Sequence, residues 1–214
     1  MVELPPHHVD PVSLHEVVHD VPAARALLAE LARDGGDELL AARVDLLRAL
    51  APDSDDPDAQ LTEAERLGWR AVGLAGGPAD EVAAAHAHAD EVPLGAVAPV
   101  LRLAHVLQRR HRFAEADLLF GLALEATRYH GEHAASIEHA RRLEFRTLYH
   151  WGLCRYEQAL DVHAEQARPY LGEALALFVR AGELRVEARA TAQEVERVRR
   201  AVQAARDRLA ELGA

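Results

Sequence analysis

Cysteine is nearly missing from this sequence: Cys154 is the only one in 214 residues. No intramolecular disulfide can form, and a reducing compartment is the simpler expectation. The thiol lies in an apolar helical stretch, where it reads as a small core side chain rather than a nucleophile. Aromatic residues make up 5% of the chain, and runs of β-branched residues are few, which argues against a sheet. No stretch approaches the ~20 apolar residues that span a bilayer. The opening MVELPPHHVDP has no basic segment followed by an apolar run, so no secretory signal is expected. These absences read as a soluble cytoplasmic protein. Ala, Leu and Arg are abundant instead, and half of the residues are apolar, enough for a substantial core. Ala has the best helix propensity and its small side chain lets helices approach closely.

Lysine is absent too, so all 24 cations are arginine, set against 35 carboxylates for a net charge of -11. That balance argues against a nucleic-acid binder as a whole, since phosphate contacts need clustered cations. The charge is unevenly spread. Residues 1–100 hold 6 Arg and 19 Asp+Glu, whereas residues 101–214 hold 18 Arg and 16 Asp+Glu. An acidic front half and an Arg-rich rear half can steer a cationic partner or favour head-to-tail association; a solvated acidic face is the simpler reading.

Punctuation along the chain predicts about nine helices and no strands. Residues 1–12, with three prolines, form an extended arm. Ser13 and Glu16 read as a capping box that opens a short helix. Asp20 is an N-cap with Pro22 in the first turn, starting a helix that Gly35-Gly36 stops. The next helix spans 37–50. The Pro- and Asp-rich stretch Ala51–Asp58 is a linker whose acidic end suits the start of the following helix, 59–74. A weaker helix covers about 78–90 before Pro93 and Gly95 break the chain. Residues 98–129 form two antiparallel helices with a break near Arg110–His111. Helices over about 132–156 and 159–180 follow, the latter holding Pro169 awkwardly inside it. A final helix runs from Glu183 almost to the C-terminus.

Repetition organises these helices. In the second helix of the central pair, Ala116, Phe120 and Ala123 have the A-x3-F-x2-small spacing; in the first, Val100, Leu103, Ala104 and Leu107 fall at the positions of W-x2-L-G-x2-Y. Weaker echoes are Leu148, Trp151 and Gly152 with Ala167, Leu171 and Ala174, and upstream Ala64, Gly68 and Ala71. On these residues the chain resembles the tetratricopeptide-repeat (TPR) family, best over 97–130 and more weakly over 59–182. The resemblance implies an all-α, right-handed superhelical stack of antiparallel helix pairs, a TPR-like α-solenoid, over residues 13–182. It also implies that the first helix of each pair lines a concave groove.

Residues 183–214 follow as a separate helix. Its stripe Leu184, Ala188, Thr191, Val195, Val198, Val202, Ala205 and Leu209 repeats at heptad spacing. The stripe fits a homodimer seam over 184–209, or a cap covering the last repeat; the cap is favoured because Ala and Thr make a seam narrow.

Two kinds of chemistry are on offer. His15-Glu16-Val17-Val18-His19 matches H-E-x-x-H, which on a helix puts His15 and His19 on one face to hold zinc while Glu16 activates water. The segment is short, with no strand before it and no recognisable third ligand among Glu30, Asp34 and Glu38, so a zinc-dependent hydrolase is the unfavoured alternative. No cofactor is expected, and most of the thirteen histidines read as solvated surface groups.

A binding face is better supported. His139, Arg142, Arg146 and His150 are spaced 3, 4 and 4 on one side of the 132–156 helix, opposite Ile137, Ala140, Leu148 and Trp151. Arg102, His105, Gln108 and Arg109 occupy the polar side of the first repeat helix. Through the resemblance both sets would line the groove and offer Arg to an acidic peptide or carboxylate. The Lys and Asn of the family's carboxylate clamp are missing. The expectation is a non-enzymatic protein- or peptide-binding scaffold, or else a regulatory module sensing a ligand or signalling peptide, without nucleic acid or membrane.

Overall fold

The computed structural model describes residues 7–9, 16–34, 36–133 and 137–213. Nine α-helices occur among them: α1 (Val21–Asp34), α2 (Leu40–Leu50), α3 (Pro57–Leu74), α4 (Glu81–His86), α5 (Leu94–Arg109), α6 (Phe113–His133), α7 (Ile137–Asp161), α8 (Ala164–Glu183) and α9 (Ala192–Glu211). A two-stranded antiparallel ribbon, β1 (His7–Val9) and β2 (Glu16–Val18), precedes them, with His7 opposite Val18. The ribbon corrects the expectation of a strandless chain.

Local chemistry starts and stops the helices. Asp20, Asp56 and Asp80 accept the backbone N–H of Ala23, Ala59 and Ala83 at 2.9, 3.0 and 2.8 Å, so the carboxylates of the acidic front half cap α1, α3 and α4. Each such cap stabilises its helix by about 1 kcal/mol. Thr191 and Glu194 form a reciprocal capping box at the start of α9. Within Ala51–Asp58, Ala51–Asp53 form one 3-10 turn and Pro57 is already the first residue of α3. Single turns also sit at Asp37–Leu39 and Ala89–Glu91. His111, at φ 56°, reverses the chain after α5, with Arg112 N–H bonded back to the carbonyl of Leu107 at 3.0 Å.

Several helix boundaries differ from the expectation: α4 is shorter than 78–90, α7 runs over 137–161 rather than 132–156, and three others have a local cause. α5 begins at Leu94, so Gly95 lies inside it. α8 begins at Ala164, which makes Pro169 its sixth residue; Pro99 holds the same place in α5. So near the helix start, a proline removes a single early bond and is tolerated better than in mid-helix. The third difference separates α8 from α9. Residues 184–189 turn and Arg189 takes φ 48°, so Leu184 and Ala188 leave the heptad stripe.

Packing follows sequence order. α2 lies on α3, α5 on α6 and α7 on α8, while α3, α6 and α8 each pack on the helix that opens the next pair. α2, α5, α7 and α9 also touch in succession, so they run side by side along one face. The repeat positions are the packing positions: Val100, Leu103, Ala104, Leu107, Ala116, Phe120 and Ala123 are all 0% exposed. Small residues mark the crossings. A Cβ on Gly152 would sit 2.5 Å from Phe178 Cε1, and one on Gly68 would sit 2.9 Å from Leu103 Cδ1.

Val198, Ala201 and Ala205 of α9 are buried in the cluster that α7 and α8 build. Of the stripe offered as a dimer seam, Leu184, Ala188, Val198 and Ala205 are buried in that cluster, Val202 and Leu209 pack against it, and Thr191 is exposed. Charged clamps add to the apolar core. Glu144, wholly buried on α7, takes hydrogen bonds from Arg128 at 3.2 Å and Arg141 at 2.6 Å. Arg110 and Arg112 both reach Glu65 of α3.

Candidate functional site

The face shared by α2, α5, α7 and α9 encloses a groove of about 320 Å³. α2 contributes Asp45, Leu46, Arg48 and Ala49, and α5 contributes Ala98, Leu101, Arg102 and His105. α7 adds Leu143, Phe145, Arg146, Tyr149 and His150, α9 adds Glu194 and Arg197, and β2 adds Val18. Helical periodicity explains why each helix has something to give. On α2, Val44 and Leu47 are buried toward α3, which turns Asp45 and Arg48 to the other side; on α5, Leu103 lies against Gly68 of α3 and Leu107 is buried in the core shared with α6, while Arg102 and His105 line the groove.

Two ion pairs cross the groove walls. Arg102 donates from Nε to Asp45 Oδ2 at 3.0 Å, joining α5 to α2. Arg146 reaches Glu194 Oε1 at 3.4 Å, joining α7 to α9, and Arg142 reaches the same carboxylate at 3.2 Å. Burial by itself raises the Glu194 pKa. Hydrogen bonds from the Thr191 backbone and hydroxyl, with the charges of Arg142 and Arg146, outweigh it and hold the carboxyl below its ordinary range. Counting Arg48 and Arg197, four arginines face two carboxylates along the lining. The groove is therefore cationic in a chain whose net charge is -11.

Two histidines meet on the floor. The rings of His105 and His150 lie 4.2 Å apart, edge to face, and His105 also stacks on Phe120 at 5.7 Å. His105 keeps part of its surface along the groove, but its Nε2 is covered and has no hydrogen-bond partner. Burial, then the neighbouring His150, Arg48, Arg109 and Arg102, keep its pKa well below the ordinary imidazole value. His105 is accordingly neutral at physiological pH.

Of the eight residues singled out from sequence, Arg102, His105, Arg146 and His150 come together in the groove. The other four are placed elsewhere. Gln108 and Arg109 turn to the buried Glu157 of α7, Gln108 by a hydrogen bond and Arg109 at 3.9 Å. Arg142 bonds the Arg189 carbonyl at 3.3 Å and steadies the α8–α9 turn. His139 is exposed near the start of α7, next to Ile137, which is 56% exposed rather than buried as its spacing suggested. Sequence reasoning missed Asp45, Arg48, Glu194 and Arg197. The available signal was the polar face of α2 and α9, which is readable only once these helices are known to lie beside α5 and α7.

The zinc reading loses its geometry. Glu16–Val18 is a strand, not a helix, so the helical face that would bring residues four apart together is not formed. His15 and Ser13 lie outside the described residues, and His19 is exposed. Among the described residues no three His, Cys, Asp or Glu side chains cluster as a metal site. Cys154 is 1% exposed and its thiol is pushed up to about 12, by burial first and then by Glu157 and Asp117. It is poorly suited to act as a nucleophile.

No helix among the described residues is long and apolar enough to cross a membrane. No family model, curated protein or solved structure matches the chain.

Proposed function

We propose that this chain is a non-enzymatic binding module of the tetratricopeptide kind, a right-handed stack of helix pairs whose groove receives an acidic peptide or protein segment. The observation that carries the reading is the groove itself: α2, α5, α7 and α9 converge there with a cationic lining, while the molecule as a whole is acidic. Such a lining attracts an anionic partner. Pairing α2 with α3, α5 with α6 and α7 with α8, the opening helix of each pair facing the groove, is the order expected of such a stack. The lone, buried Cys154 fits a reducing cytoplasm.

The test is selection of peptides from a random displayed library. Recovered sequences are expected to be rich in Asp and Glu and to bind the Arg102→Gln/Arg146→Gln protein about tenfold more weakly or worse. Peptides without acidic bias, or acidic ones indifferent to both substitutions, would overturn the reading.

A second reading, a regulatory module sensing a small ligand, is favoured by two observations. The groove is at the lower end of the roughly 300–1,000 Å³ typical of small-molecule sites. Its walls are joined by ion pairs between neighbouring helices, which an anion seated among them would loosen or tighten.

A further inference from the structure

We infer that the floor of this groove is a site for one small organic oxyanion, a carboxylate or phosphate ester carried on an apolar body. The inference rests on the groove being a binding surface and names what enters its deepest part.

The lining has two chemistries that a single ligand must satisfy together. Leu46, Leu101, Leu143 and Phe145 supply an apolar wall, and the short side chains of Ala49 and Ala98 leave the space between α2 and α5 open. Arg48, Arg102, Arg146 and Arg197 bring one guanidinium from each of the four helices. A guanidinium carries five N–H donors. Arg102 and Arg146 therefore keep donors to offer beyond those used on Asp45 and Glu194.

An inorganic anion alone would leave the apolar wall in contact with water. A hydrocarbon alone would strip water from four guanidinium groups and give nothing in return. A molecule with an anionic head and an apolar body satisfies both, and the arginine geometry suits the flat fork of a carboxylate or the oxygens of a phosphate. A volume of about 320 Å³ holds one such molecule. The neutral His105, packed between Phe120 and His150, belongs to the apolar side of the floor and adds no charge for the anion to meet.

Calorimetric titration of the full chain near neutral pH tests the inference with four probes: octanoate, octyl phosphate, acetate and 1-octanol. One of the first two is expected to bind with a stoichiometry of one, at least about tenfold tighter than acetate or 1-octanol. Which of them binds more tightly separates a carboxylate from a phosphate ligand. Ala98→Trp fills the groove from a partly exposed position, and Arg197→Gln removes one of the four cations. Each should weaken the better probe about tenfold or more, and Arg197→Gln decides if the tryptophan variant does not fold.

No heat with either eight-carbon anion overturns the inference, as does 1-octanol binding as tightly as octanoate, or binding that ignores Arg197→Gln. The two readings fail separately. Selected acidic peptides that bind while both anions give no heat would sink this inference alone; anions that bind as described while no acidic peptide is recovered would sink the peptide reading alone.

Discussion

His105→Phe offers the sharpest perturbation of the groove floor. In the folded protein the imidazole is held neutral by burial first, and then by the neighbouring His150 on α7, Arg48 on α2 and Arg109 and Arg102 on α5. In the unfolded chain it titrates near the ordinary imidazole value, about 6.5. Its folded pKa is depressed, so below about pH 6.5 the unfolded state binds a proton that the folded state refuses, and stability falls as pH falls. While the folded imidazole remains neutral, this one group lowers the unfolding free energy by up to about 1.4 kcal/mol per pH unit. Phenylalanine keeps the ring contacts with Phe120 and His150 and cannot be protonated. It also removes the covered Nε2 that has no partner, a change that stabilises by about 1–3 kcal/mol at any pH. Urea unfolding of both proteins between about pH 7.5 and 5.5 measures the two effects separately, as an offset and as a slope. The variant should be more stable at neutral pH, and its advantage should grow by about 1 kcal/mol or more on acidification. Parallel pH profiles would mean that His105 is not buried neutral, and a variant less stable at neutral pH would mean that Nε2 has a partner after all.

Further outcomes follow from particular contacts. Gly152→Ala drives a methyl into the wholly buried Phe178; overpacking of about 1–3 kcal/mol exceeds the roughly 1 kcal/mol gained in helix propensity, so denaturant unfolding should show net destabilisation. Gly172→Ala, on the same packed pair but with open space around it, should instead stabilise by up to about 1 kcal/mol. Arg189→Gly relieves a left-handed residue worth about 1–2 kcal/mol. Offset by the roughly 0.5–1 kcal/mol of added unfolded-chain entropy, the melting midpoint should rise slightly, because the Glu138 pair it removes is exposed. Glu194→Gln should cost about 1–2 kcal/mol at neutral pH and nothing well below the ordinary carboxylate range. The depressed pKa of Glu194 gives stability that is present above about 4.5 and lost as pH falls through the folded value.

Much of the helical layout was legible in the sequence because its boundaries are local chemistry. Asp20 and the Arg110–His111 break act on the backbone beside them, whatever the tertiary fold. The repeat spacing told which residues fill the core for a similar reason: Ala104, Ala116 and Ala123 admit close helix crossings, and Leu103 and Phe120 fill the gaps beside them. The misses have physical causes as well. Glu16–Val18 carries helix-compatible spacing over too few residues to override pairing with His7–Val9. The heptad stripe runs through 184–189 because turn residues and helix residues can share a spacing by chance, and nothing local announced that Arg189 would take a positive φ. Half of the groove came from residues whose partners lie far along the chain. Asp45 meets Arg102 and Glu194 meets Arg146, and no spacing rule links positions that distant. Gln108 and Arg109 were misassigned on the same ground, since only the fold reveals Glu157 beneath them.

The central claim is that the face built from α2, α5, α7 and α9 is where this protein binds. Methyl NMR on alanine-, leucine- and valine-labelled protein, titrated with the tighter of octanoate and octyl phosphate, tests it most directly. The account predicts shifts at Leu46, Ala49, Ala98, Leu101 and Leu143, with Leu118 on α6 and Val179 on α8 unmoved, since both are exposed outside the groove. Shifts centred on Leu118 and Val179, with the groove methyls silent, would contradict it.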